Sequence, residues 1–344
     1  MATHTIRLAA AQCNPVTDRS DADPFGDSFS LPAAREQAHA RIDEHAAVVQ
    51  AAGEAGADLV VTGEDLAGIY TAATYLDDPS VFRHLTEDSA AYAREVFAAL
   101  SRRYHMYVVA CFFELEGDRI YNSAVLFGRD GEIVGRYHKV HLPGAETWQC
   151  TPGDSFPVFQ TDLGKVGMLI CYDQMWPESA AALALAGARI ICHPSAASLP
   201  DYQMRTRSMD YQLYYLSGTR DGSRITQPNG DVLADAGDAA KTFITADVDV
   251  SQGTVGPEGY WDAIYSGIRD HRERHLKMRR PDLYGILVDP HPPALDDYPP
   301  GGLANTPETM HQAYLKQKDE YLRRRRGEPP HYTWQWWAGS PEQK

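Results

Sequence analysis

The sequence predicts an α/β domain with layered sheets and helices. Three observations carry this. Short β-branched runs recur along the chain, Ala-rich stretches of helical period lie between them, and two turn signals sit between β-rich runs. The first run is TIRLAAAQ (5–12), followed by a Pro/Asp/Ser-rich loop over 14–31. An amphipathic helix is expected over 33–56, then a strand in ADLVVTG (57–63) and a second helix over 89–105. These helices combine good intrinsic propensity with an apolar face, and the first ends near Gly. MYVVACFFE (106–114) lacks strict polar alternation and reads as a strand buried on both faces. The stretch 118–139 reads as a hairpin about Arg129-Asp130-Gly131, and 222–237 as one about Pro228-Asn229-Gly230. Further strands are expected in KVGMLIC (165–171), ARIICHP (188–194) and KTFITADVDV (241–250), with a helix over 177–188. The hairpins make a purely parallel sheet untenable.

From about residue 286 the pattern changes. Proline becomes frequent, a basic helical patch ends in Arg323 to Arg326, and Trp334, Trp336 and Trp337 follow. Such a tail cannot build its own core. It is expected to lie over the main domain or a partner subunit, and the arginines to form a solvated helix face. The division expected is therefore a domain over 1–285 and an extension over 286–344.

Composition narrows the function. With 344 residues, 43% hydrophobic and 23% charged, the chain has ample material for a core. Its formal net charge is −15, the opposite of what phosphate binding requires, so nucleic acid is a poor partner. No apolar run reaches the roughly 18 residues of a membrane span, and the start of the chain lacks the pattern of a secretory signal. Five cysteines, at 13, 111, 150, 171 and 192, form no paired framework. A reduced, cytoplasmic setting is expected.

No nucleophile elbow of the Gly-x-Ser-x-Gly type, Walker loop or dinucleotide fingerprint is present. His271 and His275 have i, i+4 spacing, but arginines and lysines surround them and no acidic partner set accompanies them. No metal and no cofactor are expected. The informative segment is KVGMLICYDQMWPESA (165–180). Here an apolar strand runs to Cys171, and Pro177 with Glu178 open the next helix. A thiol on such a turn, near a helix N-terminus, can be stabilised as thiolate. Taken alone, a buried structural cysteine is the commoner reading. Two other strand ends carry chemistry: Glu64 after DLVV, and Lys139 closing the first hairpin, with Glu146 seven residues on. A nucleophile needs a base and an oxyanion partner, and this set supplies both types.

These segments resemble the nitrilase superfamily, the carbon–nitrogen hydrolases with a Glu-Lys-Cys triad. Glu64 stands before Leu66-Ala67-Gly68-Ile69-Tyr70, and Lys139 lies in His138-Lys139-Val140-His141-Leu142. Cys171-Tyr172-Asp173 leads to Pro177-Glu178, and Glu146 stands six residues before Pro152-Gly153-Asp154. The similarity continues through His193-Pro194-Ser195-Ala196 and Arg207-Ser208-Met209-Asp210 to Ser223-Arg224-Ile225 and Asn229-Gly230. It departs at Gly63, where the family often has Pro, and at Asp210-Tyr211, where it has Glu-Asn.

The resemblance implies a four-layer αββα sandwich with the triad at the sheet edge. It implies Glu64 as general base, Lys139 and the Tyr172 backbone N–H as oxyanion donors, Cys171 as nucleophile and Glu146 as an orienting acid. In motif the chain is closest to N-carbamoylputrescine amidase-like enzymes, within the amidase and N-carbamoyl amidohydrolase branch. That implies a small amide or ureido substrate cleaved through a thioester. A nitrile substrate and a non-catalytic binding or assembly role are the alternatives. Tyr70, Trp148, Gln174, Met175, Trp176, His193 and Ser195 are the candidate substrate contacts. Pairing into a homodimer or larger assembly is likewise implied.

Overall fold

A computed structural model describes residues 5–15, 19–23, 25–26, 28–70, 76, 78–144, 146–197, 200–250, 267–297 and 307–329. Two compact units divide the chain: residues 1–253 with 334–344, and residues 254–333. Residue 286, the expected start of the extension, falls inside the second unit.

The first unit holds two six-stranded sheets among the described residues. In chain order the strands are β1 (Thr5–Cys13), β2 (Leu59–Val61), β3 (Tyr107–Glu116), β4 (Arg119–Phe127), β5 (Ile133–His138) and β6 (Val158–Thr161). Then follow β7 (Gly164–Met168), β8 (Ile190–Pro194), β9 (Tyr214–Gly218), β10 (Arg224–Thr226), β11 (Val232–Asp235) and β12 (Lys241–Asp249). One sheet has the order β12-β1-β2-β3-β4-β5, the other β11-β10-β9-β8-β7-β6. Parallel centres (β1-β2-β3 and β7-β8-β9) are flanked by antiparallel edges, the mixture that the hairpin signals imply.

Helices α1 (Leu31–Glu54) and α2 (Pro79–Tyr104) cover the first sheet, and a short α3 (Glu146–Gln149) follows β5. On the second sheet lie α4 (Pro177–Leu185) and α5 (Asp201–Tyr211), whose Leu183 and Met204 join its core. Strand alternation explains the layering. Leu59 and Val61 of β2, and Val109 and Cys111 of β3, face the core shared with the second sheet. Val60, Val108, Ala110 and Phe112 face the helices instead. Both faces are therefore apolar, which is why these strands lack polar alternation. Each fully buried Val or Leu contributes about 1.5–3 kcal/mol. The result is the αββα sandwich.

Some bounds differ from expectation. Helix α2 begins at Pro79, ten residues before the Ala-rich stretch, because Pro79 fits the first turn and the Asp78 carboxylate accepts from Ser80 N–H at 2.9 Å. Strand β7 ends at Met168 rather than Cys171, and a 3-10 turn over Cys171–Met175 precedes α4. The two sheets approach closely at Gly218, where an added Cβ would lie 2.4 Å from the Thr62 carbonyl oxygen. Only glycine allows that contact.

The second unit contains α6 (His271–Lys277) and α7 (Pro307–Arg325). Arg324 pairs with Glu320 at 2.7 Å and Arg326 with Glu328 at 2.5 Å, so these arginines meet acids of their own neighbourhood. Trp334, Trp336 and Trp337 lie outside the described residues. Among the described residues no helix is long and apolar enough to cross a membrane, and no group of three His, Cys, Asp or Glu is placed to hold a metal ion.

Candidate active site

Glu64 and Cys171 follow the carboxyl ends of the parallel strands β2 and β7, the end where α/β sheets place ligands. Lys139 follows β5, whose register sets His138 opposite Ser123 of β4. Asn122 therefore comes beside Lys139, whose N–H donates to the Asn122 carbonyl at 2.9 Å. Helix α3 then starts at Glu146, whose N–H is bonded to the Pro143 carbonyl at 3.1 Å.

The four expected residues meet. Lys139 Nζ donates to Glu64 Oε1 and to Glu146 Oε2, each at 2.8 Å. Asn122 Nδ2 donates to Glu64 Oε1 and Glu146 Oε1, also at 2.8 Å each. Glu64 Oε2 accepts from Ala196 N–H at 3.0 Å, and the Cys171 thiol interacts with both Glu64 and Ser195. Burial works against the Lys139 ammonium, but the flanking Glu146 and Glu64 carboxylates more than reverse it and hold its pKa well above the usual value. Burial also lifts Glu64, yet Lys139, Asn122 and Cys171 overcome that and its pKa is lowered. Glu146, with fewer donors, is lifted by burial and by the charge of Glu64.

Cys171 completes the cluster. Burial and the adjacent Glu64 carboxylate push the thiol up to about 12, against the opposing Lys139 charge and Ser195. It rests protonated. A 3-10 turn begins at Cys171 itself, and the α-helix that follows starts at Pro177. The Cys171 backbone is left-handed, with φ 44°, an uncommon conformation for a non-glycine residue. His193 holds it: one ring nitrogen, Nε2, donates to the Cys171 carbonyl at 3.0 Å, and Nδ1 accepts from Ser217 Oγ at 3.0 Å. Those partners fix the tautomer. Burial drives His193 down to about 4, keeping it neutral.

Asp173 ties the cysteine turn to the lysine loop. Its Oδ2 accepts from Tyr137 OH at 2.7 Å and Ile170 N–H at 2.9 Å. Its Oδ1 accepts from His141 N–H at 3.0 Å and Nδ1 at 2.9 Å. His141 in turn stacks on Trp176, ring centroids 3.9 Å apart. The Pro152-Gly153-Asp154 turn braces the loop from the other side, with Gly153 N–H bonded to the Lys139 carbonyl at 2.8 Å.

The carbon-nitrogen hydrolase family matches residues 7–255. The chain belongs to that family. An N-carbamoylputrescine amidase of Solanum tuberosum is 27% identical over 287 residues, 70% of this chain and 87% of that protein. A citrullinase of Francisella tularensis subsp. tularensis is 30% identical over 225 residues, covering 56% and 74%. A nitrilase of Pyrococcus abyssi is 36% identical over 158 residues, 42% of this chain and 60% of that one. Among solved structures, a carbon-nitrogen hydrolase from Helicobacter pylori G27 aligns with TM-score 0.61 at 22% identity, over 84% of this chain and all of that one. Nit3 of Saccharomyces cerevisiae, a member of branch 10 of the nitrilase superfamily, aligns with TM-score 0.55 at 24% identity, covering 71% and 90%. These likenesses establish the fold.

The remaining candidates of this carbon-nitrogen hydrolase fall into two groups. Gln174 is buried, accepting from Tyr215 OH and donating to Gln203 Oε1, each at 3.2 Å. His193 and Ser195 are also fully buried behind and beside Cys171. Tyr70, Tyr172, Met175 and Trp176 are half-buried, and Trp148 is exposed. Tyr70 stacks on Phe113, and Tyr172 meets Trp176 edge-on. A groove of about 650 Å³ between α1 and β12 contains none of these residues. Sequence reasoning missed Asn122 and assigned no role to Asp173 or His141. The available signal for Asn122 was a polar residue inside the apolar run RIYNSAVLF.

Proposed function

We propose that this carbon-nitrogen hydrolase cleaves the C–N bond of a small amide or N-carbamoyl compound through a thioester on Cys171. The observation that carries it is the Cys171 thiol set beside a buried carboxylate, itself bonded to a buried ammonium. A thiol at about 12 cannot attack unaided at neutral pH, so Glu64 takes its proton as Cys171 Sγ bonds to the carbonyl carbon. Lys139 and the Tyr172 N–H stabilise the oxyanion, a contribution of roughly 3–4 kcal/mol per donor. Glu64 then protonates the departing ammonia or amine, and the C–N bond breaks. Water, deprotonated by Glu64, releases the acid and restores the thiol. Glu146 orients Lys139. No cofactor enters this sequence.

For the substrate, the relatives named N-carbamoylputrescine amidase and citrullinase favour an amide or ureido group. Arginines that could clamp a substrate carboxylate are not found just after Asp173, where Gln174 and Met175 stand. A neutral or cationic substrate is therefore favoured, with Trp148, Tyr172, Met175 and Trp176 as wall. A nitrile is the second reading, from the Pyrococcus relative. A scaffold role is disfavoured because it needs no such ring of charges. We further read the protein as a cytoplasmic homo-oligomer; its cysteines, all free, fit a reducing compartment. Intact-mass spectrometry during incubation with amides, ureido compounds and nitriles tests the proposal. An acyl adduct on the parent protein and none on Cys171→Ala is expected; turnover by Cys171→Ala at a tenth of the parent rate would overturn it.

A further inference from the structure

Asn122 is 2% exposed and supplies two donors to two carboxylates that accept only. Its Oδ1 points the other way, accepting from the Cys111 thiol at 3.4 Å, so both ends of the amide have matching partners. The amide cannot flip without setting an oxygen against Glu64 and Glu146. Lys139 bridges the same two carboxylates, which closes a ring of one cation, one amide and two acids.

We propose that Asn122 is a positioning residue that holds Glu64 as an ionised, aimed base while limiting how strongly it is held. This rests on the proposed role of Glu64. The argument comes from charge and donor supply. Glu64 Oε1 accepts from both Lys139 and Asn122, and Oε2 from Ala196 N–H, which pins the carboxylate plane beside the Cys171 thiol. A hydrophobic residue at 122 would leave Oε1 with the lysine alone. A second cation there would hold the carboxylate too tightly for it to accept the thiol proton. An amide lies between, donating without net charge. The other groups facing Glu64 are Asp65 beside it, Cys111 on β3, Glu146 and Cys150 on the loop, Cys171 and His193. None of these supplies a second fixed donor to Oε1.

The test is the pH dependence of Cys171 alkylation by iodoacetamide in the full chain, read by peptide mass spectrometry beside kcat/KM. Asn122→Leu keeps the volume and removes the donors. Losing a bond to the charged form raises the Glu64 pKa, so the acid limb should move up by about one pH unit and reactivity at a fixed pH on that limb fall about tenfold, with little change at pH 8. Asn122→Asp with Glu146→Gln keeps the ring charge but turns an acceptor toward Glu64; the same upward shift is expected. A folded variant of either kind whose profile superimposes on the parent overturns the proposal. So does failure of both to fold, which would assign Asn122 to the core alone. Glu64→Gln separates the two readings: it should abolish the limb, and a retained limb refutes Glu64 as base whatever Asn122 does.

Discussion

Gly153→Ala is expected to damage catalysis from a position that touches no substrate. Gly153 is half-exposed, so burial does not demand glycine there. An added Cβ would lie 2.1 Å from the His138 carbonyl oxygen and 2.8 Å from its carbon. Real Cβ contacts stay beyond 3.0 Å, so the turn and the strand end must part by about 0.9 Å. Both are backbone, and no side chain can rotate away. The next residue is Lys139, whose carbonyl accepts from Gly153 N–H. Passing that shift to Lys139 Nζ would stretch its 2.8 Å bonds to Glu64 and Glu146 well past hydrogen-bond range. A displacement near 1 Å costs on the order of 10²-fold in rate, or about 2.7 kcal/mol of barrier. Overpacking should also cost about 1–3 kcal/mol of stability. The assay is kcat/KM with thermal unfolding, and Gly285→Ala, with nothing within 4 Å, is the control. A Gly153→Ala enzyme with more than half the parental kcat/KM refutes the bracing argument.

Lys139→Arg should lose activity by about 10²-fold or more, because a planar guanidinium cannot reproduce a compact ammonium between Glu64 and Glu146; near-normal turnover would show that charge alone suffices. Acid stability should fall below about pH 6.5. Burial lowers His45 to about 3 and His193 to about 4, so between those values and 6.5 the unfolded chain binds protons that the folded one does not. Each histidine then costs about 1.4 kcal/mol per pH unit. His45→Leu, which also removes a buried Nδ1 without a hydrogen-bond partner, should flatten the slope in urea titrations at pH 4–7; an unchanged slope refutes the assignment. Light scattering should find at least a dimer, reduced in mass by truncation after Pro290; a monomeric full chain sinks the assembly proposal.

The candidate groups were legible in the sequence through their joint resemblance to a family pattern rather than one by one. Glu64, Lys139 and Cys171 each follow an apolar run, and folding buries the Glu64 and Lys139 side chains against each other. The layered α/β class was legible too, since β2 and β3 are apolar at successive positions and must be covered on both faces; the four-layer order was implied by the resemblance. Pairing was not. Asn122 reaches Glu64 across 58 residues and Glu146 across 24, and no local pattern encodes a contact set by strand register. The same holds for Asp173, joined to His141 across 32 residues. The ionisation of Cys171 could not be read from the sequence for a related reason. Sequence shows the helix that follows, whereas the thiol responds to its burial and to Glu64, which only the meeting of two sheets brings together. Residue types and periodicity thus determined the α/β class and the chemical inventory. Tertiary structure decided which carboxylate is anionic and which thiol needs a base, because ionisation depends on desolvation and on charges brought close only by folding.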